Sequence, residues 1–209
     1  MRILGYGEDA LTYWALSQHM TDVIGRAPLN DDSPPEKTLL IYRPSFGRAG
    51  GPESAQFGEF DAIVGTPQAT YLIESKWTGE RIINGQVRLK AWQVLRHQIF
   101  RWIRDRWLEQ PPANWEQFYN ANADAFADHF QRDGKLLARP PSRLANNLHS
   151  ILEELREFPR RTQDVLLYFH LEGAPVPRGV DVPGGDPNFA VVSFSYAPLN
   201  AGGIINMQP

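Results

Sequence analysis

The 209-residue sequence contains no cysteine, which excludes disulfides, thiolate zinc sites and cysteine nucleophiles and favours a cytoplasmic protein. Long apolar runs are also absent. The run Leu39–Tyr42 is far shorter than the about 20 residues that span a bilayer, so no membrane segment is expected. The N-terminal residues include acidic side chains too early for a signal peptide. Basic residues are not in excess either, because the net charge is -3. A nucleic-acid partner would therefore need a local positive surface.

The composition is that of a globular protein, with 42% hydrophobic and 22% charged residues. At about 100–200 residues per domain, the chain is expected to form a single domain over 1–209. Hydrophobic periodicity and the positions of glycine and proline predict the elements in chain order. These are a helix 7–20, strands 38–43, 57–64 and 70–77, a long helix 86–107, helical segments 114–132 and 142–155, and strands 164–171 and 189–196.

The order of these elements indicates the fold class. A helix is followed by a three-strand meander, a long helix and a further strand, which predicts an α/β protein with a mixed central sheet flanked by helices. The segment 114–158 interrupts this order and is expected to be a helical insertion. The tail after Pro198 shows no pattern and is expected to be irregular.

Alternation along two neighbouring strands brings acidic side chains together. Side chains two residues apart share a face, so Asp61 can lie beside Glu74 if strands 57–64 and 70–77 form a hairpin. Lys76 lies on the same face as Glu74. A divalent cation would relieve the repulsion between the two carboxylates, and oxygen ligands favour Mg²⁺ or Mn²⁺. The backbone carbonyl of Ser75 could complete the coordination.

Two further roles follow from the same placement. Lys76 could orient or help deprotonate an attacking water, or offset charge in a phosphoryl transition state. Glu8 lies on the apolar face of the first helix and could ligate a second metal ion or its waters. The plainer interpretation is that Glu74 and Lys76 belong to an exposed charged face. Glu8 would then be only a carboxylate favoured by the positive end of its helix.

The matching segments GYGEDAL, GEFDAIV and YLIESKW resemble the PD-(D/E)XK nuclease superfamily, which has the restriction-endonuclease-like fold. The resemblance covers roughly the first half of the chain and the strand 164–171. It implies that Asp61, Glu74 and Lys76 are catalytic and that Glu8 is an accessory acid. It also makes Gln86, Arg88 and Gln93 candidates for the same site. One departure is that Phe60, not proline, precedes Asp61.

A local basic surface agrees with a nucleic-acid substrate. The segment 88–106 carries six basic residues around a single acid, Asp105, and the loop 47–51 is rich in glycine. A solvated basic face over an aromatic core is the alternative. The residues expected to bind nucleic acid are Arg43, Arg48, Arg88, Lys90 and Arg96.

The function expected from these residues is Mg²⁺-dependent hydrolysis of phosphodiester bonds, with Mn²⁺ as a substitute. DNA is the favoured substrate and RNA is the alternative. The resemblance implies an endonuclease of restriction, phage defence or DNA repair, acting as a homodimer or with a partner subunit. The competing hypotheses are a nuclease-like subunit that binds without cutting and an interaction module whose basic helix binds a protein.

Overall fold

The computed structural model describes residues 3–47, 53–77, 82–182, 189–198 and 204–207. Within these ranges, none of the helices is both long and apolar enough to cross a membrane. The α-helices are α1 (Gly7–Gln18), α2 (Met20–Gly25), α3 (Ala91–Glu109), α4 (Trp115–His129) and α5 (Arg143–Glu154), and short 3-10 helices cover Pro35–Lys37, Gln131–Asp133 and Leu155–Glu157.

Most of the strands are short, and the three longest belong to one sheet. They are β1 (Leu4–Tyr6), β2 (Leu39–Tyr42), β3 (Ser45–Phe46), β4 (Gly58–Glu59), β5 (Ala62–Gly65), β6 (Thr70–Trp77), β7 (Ile82–Ile83), β8 (Gln86–Arg88), β9 (Thr162–Leu171), β10 (Gly179–Asp181), β11 (Phe189–Tyr196) and β12 (Ile204–Asn206).

The central sheet has five strands in the order β11-β9-β6-β5-β2. Strands β2, β5 and β6 form an antiparallel meander. Strand β9 then pairs with β6 in parallel, and β11 pairs with β9 in parallel. The fold is therefore α/β with a mixed central sheet, as the element order predicts.

Helices cover both faces of this sheet because its strands alternate apolar side chains between two cores. On one face, Ile73 of β6 packs with Leu11 and Ala15 of α1. On the other face, Leu72 packs with Ile99 and Ile103 of α3 and with side chains of α4 and α5. The segment 114–158 thus forms helices that add to the second face.

Helix α5 shows how local sequence sets these boundaries. The Ser142 side chain accepts a hydrogen bond from the Ala145 amide, so it caps the helix at the residue that the sequence indicates. Leu148 and Leu152 are buried one helical turn apart.

Some predictions about the elements are wrong. The long helix begins at Ala91, not at residue 86, because Gln86–Arg88 forms strand β8 in a hairpin with β7. The turn residues Asn84 and Gly85 have φ of 52° and 77°, as a two-residue hairpin turn requires. Residues 204–206 pair with β1, so the tail is not irregular throughout. The segment between β9 and β11, for which the sequence pattern predicts no element, contains strand β10.

The predicted strand 57–64 is interrupted, and the interruption lies at Asp61. Strand β4 pairs with β3, whereas β5 pairs with β2. Opposite the break, Arg43 has φ of 49° and Pro44 has no amide proton. The chain is held there by Arg43 N donating to the Asp61 carbonyl at 3.1 Å. Irregular strand pairing of this kind redirects a side chain, here that of Asp61.

Candidate active site

A pocket of about 580 Å³ opens at the sheet where β6 ends, and the first turns of α1 and α3 border it. Its lining includes the three acids and the lysine that the sequence pattern singles out: Glu8 of α1, Asp61 in the break between β4 and β5, and Glu74 and Lys76 of β6. Each of these residues is a predicted site residue. The structure therefore brings together the four side chains that the sequence pattern singles out.

The register of two strands sets the distance between the acids. Ala62 pairs with Ile73, so Asp61 and Glu74 occupy the next opposed positions. The Asp61 Oδ2 atom accepts a hydrogen bond of 2.7 Å from the amide of Ser75. This contact holds the Asp61 carboxylate against the strand that carries Glu74.

Asp61 has an unusual electrostatic environment. Burial, followed by repulsion from Glu74, raises the pKa of Asp61 to about 7, and the Ser75 amide and Lys76 offset this only in part. Burial and the neighbouring Glu74 carboxylate therefore disfavour the Asp61 anion, and a divalent cation between the two carboxylates would favour it.

Glu74 is buried and held by three donors. Its side chain is 2% exposed, and Lys76 Nζ donates to Oε1 at 3.0 Å. Gln93 donates to the same oxygen, and Arg96 donates to Oε2. These contacts fix the carboxylate, and any cation bound there must share it with them.

Lys76 lies between two acids. Its Nζ is 3.0 Å from Glu74 Oε1 and 3.5 Å from Glu8 Oε1, and it donates to the Ser75 carbonyl at 2.6 Å. Burial lowers the pKa of the Lys76 ammonium, but Glu74 and Glu8 outweigh that effect and the net pKa is raised. In this arrangement the surrounding acids favour the ammonium form of Lys76, the form that the orienting and charge-offsetting roles require.

The donor set suits a hard divalent cation. Asp61, Glu74, Glu8 and the Ser75 carbonyl provide only oxygen atoms. Among the described residues, no three His, Cys, Asp or Glu side chains are arranged as a metal cage. Mg²⁺ commonly binds through one or two carboxylates and completes its shell with water and substrate phosphate. Asp61 and Glu74 meet that requirement.

The residues predicted to bind nucleic acid lie in different environments. Arg43 forms ion pairs with Asp9 and Glu59. The Nε atom of Arg88 lies 3.7 Å from Oδ2 of Asp181. Lys90 is exposed and lines the pocket. Arg48 lies outside the described residues.

Arg96 is not a surface residue, although it is among the predicted nucleic-acid contacts. Its side chain is 4% exposed and is engaged by Glu74 and by the Glu59 carbonyl. Any contact between Arg96 and a phosphate would therefore occur inside the pocket.

Of the three further helix candidates, only Gln93 contacts the acids. Its Oε1 accepts from the Lys90 amide at 2.8 Å, which caps α3, and its Nε2 donates to Glu74. Gln86 and Arg88 lie in strand β8 and do not line the pocket. The shift of the helix start to Ala91 explains the difference, since it places Gln93 in the first turn.

Comparison of the chain with protein-family models, curated proteins and solved structures gives no match. The chemistry of the pocket is therefore inferred from its own geometry.

Proposed function

We propose that the protein is a metal-dependent nuclease that hydrolyses phosphodiester bonds, with DNA as the favoured substrate. The observation that carries this proposal is the convergence of Asp61, Glu74 and Lys76 on one pocket. Helix, meander, helix and strand follow one another in the order that the resemblance to PD-(D/E)XK nucleases implies. The proposed roles in restriction, phage defence or DNA repair rest on the same resemblance.

Mg²⁺ or Mn²⁺ would be held by Asp61, Glu74 and the Ser75 carbonyl, with Glu8 as an additional acid. The cation supplies Lewis-acid stabilisation of the phosphate charge and activates water. The sheet keeps Asp61 and Glu74 adjacent through the register of β5 and β6. The Asp61–Ser75 contact fixes one of the two carboxylates relative to the other.

Lys76 offsets negative charge that develops when water attacks the phosphate. Its ammonium group is positioned by Glu74 and Glu8, so it does not need to reorganise during the reaction. An ammonium also orients a water molecule by donating a hydrogen bond to it. Both roles need the protonated lysine, which the surrounding acids favour.

Other groups at the pocket favour binding of a phosphate backbone. Lys90 contributes an exposed ammonium at the rim. The first turn of α3, with Trp92 and Gln93, borders the pocket, and the N-terminus of this 19-residue helix carries partial positive charge. These features attract phosphate without specifying a base sequence.

A cleavage assay tests the proposal. Wild-type protein is incubated with supercoiled plasmid or single-stranded DNA and Mg²⁺, Mn²⁺ or EDTA, beside Asp61→Asn and Lys76→Met. Glu36→Gln is the control, because Glu36 lies in an exposed 3-10 turn away from the pocket lining. Metal-dependent cutting that both site variants lose and the control keeps supports the nuclease. Cutting that survives in both site variants contradicts it.

One contact favours a second candidate, a nuclease-like subunit that binds nucleic acid without cutting. The Glu74–Arg96 pair is buried and occupies an oxygen that a cation would use. In that case DNA binds with equal affinity in Mg²⁺ and EDTA, and no variant cuts. Binding that strengthens with Mg²⁺ and weakens in Asp61→Asn favours the nuclease instead.

A further inference from the structure

Trp92 is an exposed tryptophan at the rim of the candidate site. All six tryptophans lie within the described ranges, and only Trp92 is classed as exposed, at 44%. It stands in the first turn of α3, directly before Gln93, and it lines the same pocket as Asp61 and Glu74. Leaving so large an apolar ring in water costs free energy that burial would recover. A ligand that covers the ring would gain that free energy.

The Arg96 guanidinium lies over the rings of both Phe60 and Trp92. The Arg96 guanidinium lies 5.1 Å from the centroid of Phe60 and 5.2 Å from the centroid of Trp92. Arg96 is in turn fixed by its ion pair with Glu74. The indole therefore rests on a buried and anchored group.

The backbone beside Trp92 and Arg96 has a conformation that favours glycine. Gly58 has φ of +107°, and a Cβ atom there would lie 3.5 Å from Arg96 Cδ and 4.0 Å from Trp92 Cζ3, which is ordinary van der Waals contact. The positive φ, rather than a lack of space, therefore favours glycine at this position.

Two cations lie over the partly exposed Trp92 ring. The Nζ atom of the exposed Lys90 lies 6.0 Å from the ring centroid, and the Arg96 guanidinium lies 5.2 Å from it. An aromatic ring beside cations is the combination that binds single-stranded nucleic acids, because bases stack on the ring and phosphates contact the cations. In a duplex, both faces of an internal base are already stacked. An unpaired base, in contrast, has both faces free to stack on Trp92.

We propose that Trp92 is a stacking platform for an unpaired nucleobase. The pocket then takes a nucleic-acid strand that is unpaired beside the scissile phosphate, such as a single strand, a flap or a frayed end. This inference rests on the proposed nuclease function and adds the class of substrate. Trp92 touches the substrate base and does not take part in the bond-breaking step.

The test measures binding in EDTA, where a metal-dependent enzyme cannot cut. Fluorescence anisotropy gives the affinities of the full chain for a labelled single-stranded 12-mer, a blunt duplex and a duplex with a short overhang. Trp92→Leu keeps apolar bulk but removes the stacking ring, and Trp92→Phe keeps a ring. Tyr13→Leu is the matched control, because Tyr13 is 45% exposed on α1 and does not line the pocket. Thermal melting of each variant verifies folding.

We expect a selective loss of affinity for DNA that contains unpaired bases. Trp92→Leu weakens binding of the single strand and the overhang by about 5- to 150-fold, the range for one stacked base, and changes duplex binding little. Trp92→Phe retains most of the affinity, and Tyr13→Leu retains all of it. Single-stranded DNA also quenches tryptophan fluorescence in the wild type and does so far less in Trp92→Phe.

Three results overturn the inference, and they separate it from the proposed function. If Trp92→Leu weakens single-stranded and duplex binding equally, or weakens neither of them, Trp92 is not a stacking platform for an unpaired nucleobase. If the wild type cuts duplex DNA and Trp92→Leu cuts it equally well, the nuclease stands and the substrate class is wrong. If the wild type binds no nucleic acid in EDTA, the inference fails, and the cleavage assay with Mg²⁺ decides the proposed function separately.

Discussion

The Asp61 carboxylate accepts a hydrogen bond of 2.7 Å from the backbone amide of Ser75, one residue beyond Glu74 and one before Lys76. Asp61, which lies in the break between β4 and β5, is therefore anchored to the strand that carries the other two site residues. The β6 backbone thus fixes the Asp61 carboxylate relative to Glu74 and Lys76. Groups held in this way are preorganised for catalysis.

Asp61→Asn should abolish cleavage without unfolding the protein. The asparagine carbonyl can still accept from the Ser75 amide, but the charge that holds a cation is gone. We expect the rate to fall by about 100-fold or more, since metal-supplied stabilisation is several kcal/mol.

The melting temperature distinguishes a functional role of Asp61 from a structural one. Asp61 and Glu74 repel each other, so Asp61→Asn should melt at the same temperature as the wild type in EDTA, or higher. A clear fall in melting temperature would mean that Asp61 serves the fold and would contradict the assignment.

Arg96→Met should destabilise the fold more than substitution of an exposed arginine. It removes one of the two cations that pair with the buried Glu74 carboxylate and leaves Lys76, so the loss should not exceed the about 3–5 kcal/mol for breaking a buried ion pair. The double variant Glu74→Gln/Arg96→Met should recover part of that loss, because it removes the buried charge that Arg96 no longer balances. Urea unfolding measures these free energies.

Arg88→Met is the control for this comparison. Arg88 and Asp181 form an exposed pair at 3.7 Å, and surface pairs contribute about 0–1 kcal/mol. Equal losses of stability in Arg88→Met and Arg96→Met would contradict a buried, energetically important pair at Glu74.

Asp31 should make stability depend on acid pH. This carboxylate is 1% exposed and accepts from Thr66 Oγ1 and from the Tyr71 hydroxyl, each at 2.7 Å. Burial raises the pKa of Asp31, but hydrogen bonds from Ser33, Thr66 and Tyr71 outweigh it, so the net pKa lies below its ordinary value of 3.8. The stabilisation is present above that value and is lost as pH falls through the folded-state pKa.

Asp31→Asn should therefore cost about 1–3 kcal/mol at pH 7, and the difference from the wild type should shrink as pH falls below 4. Unfolding in urea across this pH range measures it. The exposed neighbour Asp32 provides the control, since Asp32→Asn should change stability by about 0.5 kcal/mol or less. A difference that stays constant down to pH 2 would contradict the role of Asp31.

Much of the fold could be predicted because its signals are local. Alternation and helical periodicity found the three longest central strands and the amphipathic faces of α3 and α5. The predicted start of α3 is too early, because the absence of glycine and proline after residue 85 does not distinguish a strand from a helix. The dipeptide Asn84–Gly85, a strong hairpin signal, was present in the sequence. Strand β12 was not predictable, because its pairing with β1 joins opposite ends of the chain.

The site residues on the strands could be predicted from the sequence, but their contacts with α3 could not. Period-two alternation places Glu74 and Lys76 on one face, and strand order places Asp61 beside them. The ion pair of Arg96 with Glu74 was not predictable, because it depends on how α3 docks on the sheet. A long basic side chain in an amphipathic helix is more often exposed than buried.

Binding of Mn²⁺ tests the central claim, the cation site at Asp61 and Glu74, most directly, because it requires no knowledge of the substrate. Isothermal titration calorimetry with MnCl₂ is performed on the wild type, Asp61→Asn, Glu74→Gln and the control Asp32→Asn. The predicted result is Mn²⁺ binding by the wild type and the control that Asp61→Asn abolishes and Glu74→Gln weakens. Failure of the wild type to bind Mn²⁺, or equal binding by all four proteins, would contradict the account.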